Sequence, residues 1–146
     1  MTISDMRNAY LALHPEARNE AFDAWAYGDA PDALAQLTLA GRKRATSSAY
    51  QLYAAEREPL PRAGEFSIIL DSHDRPVCIV RTTHVEVIPF RFVPADFAAK
   101  EGEGDLSLAW WRQVHESYFT RALAQAGLTF TPDTPIVCEE FEVVYP

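Results

Sequence analysis

Apolar residues follow a helical spacing through the first third of the chain and give way in its middle to short β-branched runs. DMRNAYLAL, ARNEAFDAWAYG and PDALAQLTLAG predict three helices; the last is opened by Asp29 and Pro31, striped by Leu34, Leu37, Leu39 and Ala40, and stopped by Gly41. SSAYQLYAAERE, Ser47 to Glu58, predicts a fourth, with Tyr50, Tyr53 and Ala54 on one side and Pro59 and Pro61 ending it. FSIIL and VCIVRTTHVEVI then read as the strands of an antiparallel hairpin around the polar turn DSHDRP. PADFAAKEG predicts a short helix. LSLAWWRQVHESYFTRALAQAG predicts a long one, N-capped by Asp105, striped by Leu108, Trp111, Phe119 and Ala122, and ended by Gly127. IVCEEFEVVY closes the chain as a strand.

Strands scattered among helices, without a repeated βαβ unit, predict an α+β fold: a small curved mixed sheet or partly closed barrel flanked by helices. A length of 146 residues suits one domain with a real core.

Composition narrows the class of function. At 48% hydrophobic and 23% charged residues the chain is a globular type rather than a disordered one. A net charge of -8 argues against coating duplex DNA, which requires broad basic surface. No apolar run approaches the roughly 18 to 20 residues of a membrane span, and the first residues lack a basic and apolar leader pattern, so a cytoplasmic protein without membrane contact is expected. Cys78 and Cys138 lie in β-branched apolar runs, where buried reduced thiols are expected. No CxxC, GxSxG, P-loop, GxGxxG or HExxH pattern is present.

Two segments carry candidate chemistry. GRKRATSS, Gly41 to Ser48, sets Arg42, Lys43 and Arg44 beside Thr46, Ser47 and Ser48. As a capped turn it needs no further explanation: Gly41 ends one helix and the serines cap the next. The same arrangement also offers a nucleophile and a base, because Arg42 and Arg44 disfavour a third positive charge on Lys43, and backbone N–H groups at a helix start near Ser47 and Ser48 suit an oxyanion. In EGEGD, Gly102 and Gly104 let Glu101, Glu103 and Asp105 point one way, without the spacing of an EF-hand. Aromatic candidates for stacking on a base are Tyr27, Tyr53, Trp110 and Trp111, each of which also fits a core. The four histidines, His14, His73, His84 and His115, read as structural.

AYGDAPDALAQLTLAGRKRATSS, PLPRAGEFSIILDSHDRPVCIVRTTHVEVIPF, FAAKEGEGDLSLAWWRQVH and IVCEEFEVVY resemble, in order and spacing, the ASCH domain family from about Asp23 to Tyr145. The resemblance implies a PUA-like fold over a single domain, 1–146, with an N-terminal helical extension of about residues 1–22. It also implies a ligand of nucleoside or single-stranded RNA type. Some small bacterial members are amidohydrolases that deacylate the exocyclic amine of acetylated cytidine, and their residues fall here on Lys43, Thr46 and Glu101, with Glu103 the other candidate acid. Arg42, Arg44, Ser47, Ser48, Tyr27, Glu103 and Trp110 are then expected to bind substrate, and neither a metal nor a cofactor is implied. An RNA-binding module and a metal-dependent ribonuclease using Glu101, Glu103 and Asp105 are the alternatives, and only the ribonuclease calls for a divalent cation.

Overall fold

A computed structural model of the chain describes residues 1–146. Besides two single-turn 3-10 helices, five α-helices and five strands follow in the order α1 (Ile3–Leu13), β1 (Phe22–Ala26), α2 (Pro31–Leu39), β2 (Ala45–Ala49), α3 (Tyr50–Ala55), β3 (Phe66–Leu70), β4 (Pro76–Pro89), α4 (Ala95–Lys100), α5 (Leu108–Gln125) and β5 (Pro135–Tyr145). The strands bond in the order β1-β3-β4-β5-β2. β1 runs parallel to β3, β3 antiparallel to β4, and β2 antiparallel to β5, so the sheet is mixed and the class is α+β, as expected.

Two compact units form, one from Met1–Lys43, Arg62–Thr83 and Phe141–Pro146, the other from Arg44–Pro61 and His84–Glu140. In the first, β3 is buried along its whole length. Phe66, Ile68 and Leu70 join Met6 and Tyr10 of α1 in one cluster, while Ile69 joins Tyr27, Ala35 of α2, Cys78 and Val80 in another. Period-two alternation therefore feeds two apolar layers from one strand. In the second, Ala45, Ala49, Phe90, Phe97, Trp111, Phe119, Leu123, Ile136 and Cys138 make a single core.

Three elements differ from the sequence expectation. ARNEAFDAWAYG contains β1 rather than a helix: Phe22, Ala24 and Ala26 pack with one cluster and Trp25 and Tyr27 with the other, and two-sided burial overrides the helix preference of Ala and Glu. Ser47 and Ser48 lie within β2, and α3 begins only at Tyr50 with Ala49 as N-cap, so neither serine caps a helix. The cap of α5 is Ser107, whose hydroxyl accepts from Trp110 N–H at 3.1 Å, and Asp105 instead accepts from Ser107 N–H. Stripes shift too: α2 buries Ala35 and Thr38 while Leu39 is exposed, and α5 buries Trp111, His115, Phe119 and Leu123. Both cysteines are free and buried, and burial pushes each thiol up to about 12. No helix is long and apolar enough to cross a membrane.

Candidate functional site

The end of α2 fixes where Lys43 begins. Gly41 N–H bonds to the Thr38 carbonyl at 2.9 Å and Arg42 N–H to that of Leu37 at 3.0 Å, the paired bonds of a Schellman cap, and Gly41 takes the φ of +77° that this cap requires. Lys43 N–H shares the Leu37 carbonyl at 3.0 Å. Its side chain is 1% exposed, with Nζ 5.2 Å from the centre of the Tyr27 ring. Tyr27 is itself anchored, its hydroxyl 2.8 Å from Thr38 Oγ1, which in turn donates to the Leu34 carbonyl. Trp25 meets the Tyr27 ring edge-on at 5.1 Å. Tyr27, expected to stack on a substrate base, thus packs with Trp25 and the Lys43 amine. The flanking Arg42 and Arg44 are exposed.

In the second unit the acidic loop delivers Glu101 to the end of α4, 2% exposed. Three groups converge on its Oε2: the Ser47 hydroxyl donates at 2.6 Å, the Trp111 indole N–H donates at 2.6 Å, and His115 Nε2 stands 3.3 Å away. His115 stacks on Trp111 with ring centres 4.3 Å apart, and its Nδ1 lies 2.9 Å from the Trp111 carbonyl. A carbonyl only accepts, so Nδ1 carries a proton; the second proton, on Nε2, then points at Glu101. Burial pushes the imidazole down, but the hydrogen bond to Glu101 and the charges of Glu101 and Glu103 outweigh it and hold His115 above its ordinary value of 6.5.

His115 is the residue that sequence reasoning missed. The signal was present in its spacing: it follows Trp111 by four, on the buried face of α5, and an imidazole on an apolar face calls for a polar partner. Glu101, Glu103 and His115 bring one ligand atom each to within 4.8 Å of one another, a donor set of two carboxylates and one imidazole that could hold a divalent cation. Asp105, the third acid expected for that role, is exposed and engaged with Ser107.

Alternation along β2 decides what each hydroxyl faces. Ala45, Ser47 and Ala49 share the core face with Glu101 and Trp111, whereas Thr46 and Ser48 point to the other. Thr46 sits directly opposite Glu139 across the ladder, and Ser48 bonds the Tyr53 hydroxyl at 2.6 Å. Glu101 therefore takes Ser47, not Thr46, as its hydroxyl donor. The N–H groups of Ser47 and Ser48 belong to a strand and form no helix-start anion site, so the oxyanion site placed there is corrected. Trp110 is half-buried against the acidic loop: a Cβ added at Gly104 would fall 2.2 Å from its Cε2. Gly102 and Gly104, at φ of +73° and +60°, supply the sharp turns expected of them.

The family model of the ASCH domain matches residues 23–145. A crystal structure of an ASCH domain from Lactobacillus crispatus JV V101 superposes with a TM-score of 0.92 at 33% identity, covering 98% of this chain and 94% of that one. Protein EF3133 from Enterococcus faecalis V583 superposes with a TM-score of 0.89 at 38% identity, over 98% of this chain and 88% of that one. No curated protein matches the chain. A match over most of the sequence, joined to a shared fold at such identities, shows that this chain belongs to the ASCH domain family, a family linked to RNA-binding and hydrolase roles.

Proposed function

We propose that the chain is an amidohydrolase that removes an acyl group from the exocyclic amine of a modified cytidine. The observation that carries this reading is the burial of Lys43, 1% exposed between two exposed arginines. A lysine that grips phosphate keeps its amine at the surface; one held under an aromatic ring and away from water suits proton transfer. In the proposed reaction the Thr46 hydroxyl forms a bond to the acyl carbon while Lys43 takes its proton. The C–N bond then breaks, Lys43 returns the proton to the leaving amine, and cytidine departs. Water attacks the threonine ester, frees the carboxylic acid and restores the hydroxyl. Glu101 is the carboxylate that the family resemblance pairs with the lysine. Its bonds to Ser47, Trp111 and His115 fix the orientation of that carboxylate.

The test is incubation of the purified protein with N4-acetylcytidine while cytidine and acetate are followed. Lys43→Ala, Thr46→Ala and Glu101→Gln are each expected to lower kcat by at least ~100-fold, the scale of a lost acid–base group. Variants as active as the parent would overturn the mechanism.

A second reading, a metal-dependent ribonuclease, is favoured by one observation: Glu101, Glu103 and His115 cluster within 4.8 Å. The two part on chelation. Deacylation survives EDTA, whereas RNA cleavage through that cluster does not.

A further inference from the structure

The face of β2 and β5 turned away from Glu101 has no part in the mechanism beyond Thr46, yet it is not an ordinary solvated strand face. Glu139 stands directly opposite Thr46 in the antiparallel register and is 8% exposed, a degree of burial rare for a carboxylate. Two residues along β2, Ser48 on that face meets the phenol of Tyr53 at 2.6 Å. Burial raises the pKa of Tyr53 and the negative charge of Glu139 adds to the shift, so the phenol stays protonated and lies within reach of the Glu139 field. The strand pair thus presents an acceptor beside the nucleophile and, further along, a pair of neutral hydroxyls. Whichever of Ser48 and Tyr53 donates to the other, one O–H remains to donate outward.

The order of these groups matches one nucleobase edge. Acylated cytosine offers an N–H at its exocyclic amine, then two acceptors, the ring nitrogen and the carbonyl oxygen. Opposed strand residues have Cβ atoms about 4.5 to 5.5 Å apart. With the acyl carbon about 3 Å from the Thr46 hydroxyl, the attached nitrogen comes within reach of Glu139 when the base lies across the strand pair. We infer that Glu139 and the Ser48–Tyr53 hydroxyl pair read the cytosine edge of the substrate, Glu139 accepting the N–H of the scissile amide and the pair's remaining O–H donating to the ring carbonyl oxygen, an acceptor that cytosine and uracil share. This rests on the reading of Thr46 as nucleophile. It adds a specificity rule: a pyrimidine with oxygen at that position sets lone pairs against the buried carboxylate and is excluded.

Calorimetric titration with cytidine and with uridine tests this independently of turnover. The parent is expected to bind cytidine at least ~100-fold more tightly than uridine, within the range seen when a site built for a donor meets an analogue lacking it. In Glu139→Gln, whose carboxamide is isosteric and can donate as well as accept, the preference should fall below about tenfold. Ser48→Ala should weaken both nucleosides several-fold without changing their ratio. An undiminished preference in Glu139→Gln overturns the inference, as does a parent that binds neither nucleoside. A parent that fails to deacylate acetylcytidine but shows the Glu139-dependent preference sinks the hydrolase and leaves base reading standing.

Discussion

Glu101 keeps its carboxylate out of water by giving one oxygen three partners, and of these only His115 changes charge near neutral pH. Because its folded pKa is raised, the pair's contribution to stability is fully present below the ordinary value of 6.5 and is lost as pH climbs through the higher folded value. Thermal melting should therefore show the parent more stable than His115→Gln at about pH 6, with the gap closing by about pH 9. A gap independent of pH would mean that the ring acts by packing on Trp111 alone. Lys43, Thr46 and Glu101 stand out as candidates in the sequence because their spacing matches a family motif, and the burial of Lys43 and Glu101 was not readable there. His115 does not stand out, since an imidazole in a stripe of aromatics is read as filler until the acid above it is seen. Glu139 escaped for a related reason: nothing in IVCEEFEVVY says which of two adjacent glutamates turns inward.

Elements with a strong period were legible: the β3–β4 hairpin, α4, α5 and β5 all form where the pattern placed them. β1 and β2 were not. β2 is ATSSA, small residues of weak strand preference, and only its pairing with β5 fixes it as a strand. That difference reverses local chemistry: on a helix start Ser47 and Ser48 would offer their N–H groups together, whereas on a strand their side chains part to opposite faces. Loop glycines allow a comparison at this scale. Gly41 and Gly104 both take positive φ, +77° and +60°, but a Cβ at Gly41 meets nothing within 4 Å while one at Gly104 strikes the Trp110 indole at 2.2 Å. Gly41→Ala should cost the backbone penalty alone, about 1 to 2 kcal/mol. Gly104→Ala carries that penalty and must also displace the indole, so urea titration should find it the less stable, with tryptophan fluorescence altered only in Gly104→Ala. Equal losses and unchanged fluorescence would show that the acidic loop does not rest on Trp110.

Charge belongs to the whole molecule. With a net charge of -8 the chain repels a polyanion at long range, and its exposed cations at the first motif reduce to Arg42 and Arg44 because Lys43 is buried. Two phosphate contacts give single-stranded RNA a salt dependence of only about sevenfold in affinity between 50 and 200 mM salt. Such a footprint is small for a module whose purpose is to hold RNA. An uncharged nucleoside avoids the repulsion altogether. The free nucleoside is therefore expected to be the better substrate: at low salt its kcat/KM should exceed that of the same acetylated base within a short single-stranded RNA, and its KM should change less than about twofold over that salt range. Preference for the oligonucleotide, with KM rising steeply as salt is added, would shift the biological ligand to RNA while leaving the chemistry proposed at Thr46 intact, because electrostatic steering sets who arrives and not which bond breaks.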